Sequence, residues 1–85
     1  MSSLVALVSS FVESSRVDEV MEALSSLDNV EDTYEVTGEF DLVSIVSARD
    51  IYEFRDILKN RILKIDGVKS TVTSFVLNPH NGLLH

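Results

Sequence analysis

Apolar residues recur along this chain with two different periods, and the switches between them mark out six elements. Leu4, Val5, Leu7, Val8, Phe11 and Val12 form a short run rich in strand formers, which predicts a first strand over Leu4–Glu13 with apolar side chains on both faces. Val17, Val20, Met21, Leu24 and Leu27 follow at helical spacing, with Ser15 and Asp18 as a candidate cap and Asp28-Asn29 as the stop. From Val30 to Thr37 the pattern alternates, with Val30, Tyr34 and Val36 on one parity and Glu31, Thr33, Glu35 and Thr37 on the other. Asp32 interrupts the apolar parity, which suits an edge strand.

The tetrapeptide Gly38-Glu39-Phe40-Asp41 then reads as a hairpin turn. Phe40 to Ala48 is extended again, with Phe40, Leu42 and Val46 on one face and Val43 and Ile45 on the other. Asp50 and Glu53 form a capping-box pair for a second helix whose stripe is Ile51, Phe54, Ile57, Leu58, Ile62 and Ile65, and Asp66-Gly67 stops it. Val68 to Leu77 is the last strand, alternating Val68, Val72 and Val76 with Thr71, Thr73, Phe75 and Leu77. The pattern predicts one domain over residues 1–78 and a C-terminal tail over residues 79–85.

The order β-α-β-β-α-β is an α+β arrangement, and its two halves repeat at an offset of 38 residues. Leu27-Asp28-Asn29-Val30-x-x-Thr33 matches Ile65-Asp66-Gly67-Val68-x-x-Thr71. A doubled βαβ with an antiparallel centre is the ferredoxin-like two-layer sandwich, a four-stranded antiparallel sheet with both helices on one face. The other face is then bare, although three of the strands carry large apolar residues on both parities. Packing two sheets face to face, in a two-fold homodimer forming a dimeric α+β barrel, covers them.

Composition supports that need for a partner. A domain of 85 residues buries only about 60 to 65% of its unfolded surface, and no cysteine is present to staple it. A formal charge of −7 repels phosphate and argues against autonomous binding of DNA or RNA. The apolar run at Leu4–Val12 is too short for a membrane span and lacks a basic leader, so a cytoplasmic protein is expected.

Catalytic chemistry finds little to work with. His80 and His85 lie in the tail without metal-ligand spacing, and no Ser/His/Asp set or phosphate loop occurs, so no catalytic residue, metal or cofactor is expected. The best candidate for a site is the central turn. Gly38 can take the positive φ of a tight turn, and Asp41 returns into the next strand with a carboxylate able to accept backbone N–H groups or a ligand's ammonium.

The stretch Tyr34-Glu35-Val36-Thr37-Gly38-Glu39-Phe40-Asp41-Leu42-Val43, followed by a helix and then by Ile65-Asp66-Gly67-Val68-x-x-Thr71-x-Thr73-x-x-Val76-Leu77, resembles the effector-binding domain of the Lrp/AsnC family of transcriptional regulators. The resemblance runs from about Leu4 to Asn78. It implies a domain that dimerises through its sheets, with dimers assembling into octamer-like rings, and that binds amino acids or similar small metabolites in clefts between dimers. The family's helix-turn-helix has no counterpart here, so the chain looks like a stand-alone member whose partners could include full-length Lrp/AsnC regulators. The resemblance implies a ligand site at Gly38, Glu39, Phe40 and Asp41, with the hydroxyls of Thr71 and Thr73 and a pocket lined by Tyr34 or Phe40. Backbone N–H groups around Gly38 would receive the carboxylate of an amino acid and Asp41 its ammonium. Two alternatives stay open: an oligomerisation module without ligand, and a small dimeric α+β-barrel enzyme.

Overall fold

The computed structural model describes residues 4–77. Strand β1 (Leu4–Val12) runs into a single 3-10 turn at Ser14–Arg16 and helix α1 (Val17–Ser25). Strands β2 (Val30–Glu35) and β3 (Leu42–Ala48) form the central hairpin. Helix α2 (Ile51–Ile57) continues as a wide π turn (Leu58–Ile62) before strand β4 (Val68–Phe75). The sheet is antiparallel throughout with strand order β2-β3-β1-β4, the ferredoxin-like arrangement expected from the doubled pattern.

The internal repeat extends to individual hydrogen bonds. After α1, Leu27 N–H donates to Leu24 and Val30 N–H to Leu27; after α2, Ile65 N–H donates to Ile62 and Val68 N–H to Ile65. Those are the same two bonds displaced by 38 positions. The halves differ at Asn29 and Gly67. Gly67 has φ +103°, and a Cβ there would lie 2.9 Å from Val20 Cγ2 and 3.0 Å from Arg16 Cβ. Glycine lets the start of β4 pass directly beneath the start of α1, where Gly67 C=O also accepts from Glu13 N–H at 2.8 Å.

Ala6, Val8, Ser10 and Val12 of β1 and Leu42, Ser44, Val46 and Ala48 of β3 point toward the helices and are buried. Val20 and Leu24 of α1, Phe54 and Ile57 of α2 and Ile62 of the π turn close the core over them. On the opposite face β1 and β3 present Val5, Leu7, Ser9, Val43 and Ile45, and β2 adds Tyr34 opposite Val43. Leu7, Tyr34 and Val72 are respectively 39, 51 and 49% exposed. That is the uncovered apolar face which the alternation on both parities required.

Several local expectations change. Ser15 makes no cap, because its stretch is taken up by the 3-10 turn and α1 begins at Val17 without a side-chain cap. The second cap is present, with Glu53 N–H donating to Asp50 Oδ1 at 2.9 Å and Glu53 Oε1 accepting from Arg49 N–H at 2.7 Å. The strands β2, β3 and β4 are shorter than expected, so Val36, Thr37, Phe40, Val76 and Leu77 lie outside them. Irregularities between Val30 and Asp32, and between Phe11 and Val12, reverse strand parity. Val30 therefore faces the helices and Tyr34 the open side, while Val68 pairs with Val12 on the helix side and Val72 lies on the open side. The expected tail from Asn78, with His80 and His85, lies outside the described residues.

Candidate functional site

Seven residues were expected to converge, and the fold distributes them over three places. Gly38 sits in the turn with φ +113° and open space around it, so the left-handed backbone rather than crowding is what demands glycine there. Glu39 beside it is exposed. Phe40 is expected from the sequence to begin the following strand on the same face as Leu42 and Val46. It lies instead within the turn, its ring 4.8 Å from that of Phe11, a β1 residue on the open side of the sheet.

Asp41 does something that local turn chemistry would not predict. Its Oδ2 accepts the N–H of Val12 at 2.7 Å across 29 positions of sequence, at the β-bulge, and its own N–H donates to Ser10 C=O at 3.0 Å. The carboxylate satisfies a β1 backbone donor that lies beyond the last β1–β3 pair, Ser10 with Leu42. The turn is closed by Val36 N–H on Asp41 C=O at 3.1 Å. Gly38 and Glu39 therefore sit exposed in a turn fastened to the end of β1 at Ser10 and Val12.

Thr71 and Thr73 pair with Ser10 and Val8, which puts their side chains on the helix side of β4 and half-buried. Thr71 lies across β1 from Leu42, about 10 Å away at two strand spacings, at the same end of the sheet as the turn. Between them Ser10 Oγ is fully buried without a hydrogen-bond partner. Tyr34 belongs to the other face and does not join the threonines within one chain. The turn and the two threonines thus share an end of the molecule, whereas Tyr34 shares the open face with Leu7, Val43 and Ile45. Phe11 and the backbone of Val12 carry no local signal of these contacts, because they meet Phe40 and Asp41 only once β1 and the central hairpin lie side by side; the aromatic at the end of an otherwise aliphatic strand is the only cue.

Among the described residues no group of three or more His, Asp or Glu side chains is placed to hold a metal ion, and no helix is long and apolar enough to cross a membrane.

Comparison with known proteins decides what kind of domain this is. The model of the Lrp/AsnC ligand binding domain matches residues 5–81. The chain belongs to the Lrp/AsnC ligand-binding domain family. An uncharacterised helix-turn-helix transcriptional regulator of Pyrococcus abyssi is 34% identical over 73 residues, covering 86% of this chain and 46% of that regulator. The chain thus spans about half the length of that relative. A solved protein of Thermus thermophilus superposes with a TM-score of 0.86 at 32% identity, over 91% of this chain and 96% of its own. A Neisseria meningitidis transcriptional regulator solved in complex with L-Met has the same fold, with a TM-score of 0.84 at 20% identity over 89% of this chain and 51% of that one. The Lrp/AsnC domain is a regulatory ligand-binding module, not a catalytic one.

Proposed function

We propose that this Lrp/AsnC domain is a cytoplasmic amino-acid sensor that works as an assembly, pairing with a second copy through its open sheet face and holding its ligand where the Gly38 turn meets a neighbouring subunit. The observation that carries this reading is the anchoring of the turn: Asp41 ties it to the N–H of Val12, leaving the backbone of Gly38 and Glu39 exposed at a fixed position. A fixed row of backbone donors is what a carboxylate-bearing ligand needs, because little ordering is required on binding. The L-Met bound by the Neisseria regulator supports an amino acid as the ligand class.

In this reading the candidate residues do different work. Gly38, Glu39 and Asp41 belong to the ligand cleft, with Thr71 and Thr73 on the same end of the domain. Tyr34 belongs to the homodimer face. Asp41, already committed to Val12, orients the turn and offers its remaining lone pairs to an ammonium. Clefts between dimers form only in a higher, ring-like oligomer, and full-length Lrp/AsnC regulators can enter such an assembly through the same sheet face. Ligand then acts by favouring one assembly over another, to the extent of its differential affinity for the two.

Calorimetry against the twenty amino acids, with light scattering on the same samples, tests both parts. At least one amino acid is expected to release or absorb heat and to shift oligomer size, and the free protein is expected to be at least a dimer. A micromolar monomer that responds to none of them overturns the proposal.

A further inference from the structure

The largest departure from regular helix in the molecule lies well away from the Gly38 turn, and it borders a cavity. After Ile57 the helix widens, with Leu63 N–H donating to Leu58 C=O at 2.8 Å, and Arg61 is carried on this wide turn. Arg61 lines a cavity of about 170 Å³ together with Glu53, Asp56 and Ile57 of α2 and with Leu27, Asp28 and Asn29 of the turn between α1 and β2. The volume is well below the ~300–1,000 Å³ of a drug-sized pocket, so it suits a metabolite of only a few heavy atoms.

The charges around this cavity are unequal in availability. Glu53 is committed to Arg49 through the backbone N–H at 2.7 Å and the guanidinium at 3.2 Å. Asp56 Oδ1 accepts from Asn60 Nδ2 at 2.6 Å. Asn29 commits its amide N–H to Ser47 C=O at 2.8 Å, which fixes the wall of the cavity to β3. The side chains of Asp28 and Arg61 have no hydrogen-bond or ion-pair partner among the described residues, although they border the same space with opposite charges. Leu27 and Ile57 supply the aliphatic part of the lining.

One unpaired carboxylate, one unpaired guanidinium and an aliphatic wall complement a molecule with an ammonium, a carboxylate and a short aliphatic group. We propose that this cavity is a second small-molecule site, contained within one subunit, for a zwitterion of the α-amino-acid class. Arg61 takes the carboxylate as a two-pronged donor, Asp28 takes the ammonium, and Leu27 and Ile57 contact the side chain. A bare amine leaves Arg61 unanswered and a bare carboxylate leaves Asp28 unanswered, so the site selects for both charges on one small molecule. It shares its ligand class with the reading above but not its location, and it requires no neighbouring subunit.

L-alanine, a zwitterion with a single methyl side chain, is a suitable probe, and ethylamine and propionate are its two half-charged counterparts. Titrated into the 15N-labelled full chain, L-alanine is expected to shift the amides of Asp28, Asn29 and Arg61 and the Arg61 Nε–H signal, with the two counterparts at least about tenfold weaker. Arg61→Gln and Asp28→Asn, both exposed and therefore tolerable to the fold, are each expected to weaken these shifts about tenfold or more, while Lys59→Gln on the same turn leaves them unchanged. Shifts confined to the Gly38 turn overturn the proposal and leave the intersubunit sensor intact. Equal responses to alanine and ethylamine, an undiminished response in Arg61→Gln, or no shift at all also overturn it.

Discussion

The two faces of the sheet have nearly the same apolar content in β1 and β3 but opposite fates. The helix side is closed by Val20, Leu24, Phe54, Ile57 and Ile62, and its central residues Ala6, Val8 and Val46 have no exposure at all. The open side carries side chains as large, among them Leu7, Tyr34, Ile45 and Val72, with neither helix packed over them. One face therefore stabilises the fold itself, and the other is left for the association proposed above. In the proposed assembly this separation lets the domain remain folded while its assembly state varies with concentration and ligand.

That comparison breaks most sharply by damaging each face in turn. Leu24→Ala empties a fully buried position on the helix side and is expected to cost about 2–5 kcal/mol of unfolding free energy in urea titrations. Ile45→Asp places a charge in the middle of the open side. It is expected to abolish the dimer in light scattering and to make the thermal midpoint independent of protein concentration, with secondary structure by circular dichroism retained. If Ile45→Asp unfolds the chain outright, the faces are not energetically separate.

Smaller changes sharpen the comparison at its margins. Gly67→Ala adds a Cβ where Val20 and Arg16 are already at 2.9 and 3.0 Å and the backbone is left-handed, with an expected loss of about 2–3 kcal/mol. Asp41→Ala strands the Val12 N–H, with an expected loss of about 1–3 kcal/mol and a selective rise in amide exchange at Val12. Gly38→Ala meets no atom and is strained only by its φ of +113°, at about 1 kcal/mol, so it should lie clearly below Gly67→Ala in the same assay.

Much of this was readable because the periodic signal and the turn chemistry agree. The six elements, their order and the two-sided apolar strands follow from residue spacing alone, and the match between Leu27-Asp28-Asn29-Val30 and Ile65-Asp66-Gly67-Val68 foretold two turns that prove identical in hydrogen bonding. What escaped was set by single-residue shifts in register. The irregularities near Val30 and Val12 split Val30 from Tyr34 and Val68 from Val72, pairs that simple alternation puts on one face, because a period of two offers no internal warning when one residue is inserted. For the same reason the seven candidate site residues, adjacent in motif, separate in space. The Asp41 bond to Val12 joins residues 29 positions apart and is legible only once β1 and the hairpin are side by side.

The tilted ring contact of Phe40 with Phe11 carries a mechanical consequence. Phe40 is part of the turn proposed to touch ligand, and Phe11 is part of the surface proposed to touch the second copy, with ring centroids 4.8 Å apart. Neither ring can be repositioned without disturbing the other. In the proposed assembly the two equilibria, for metabolite and for subunit, share a hinge pin made of two phenyl rings, and the free energy by which one biases the other is, by linkage, returned in full in the opposite direction.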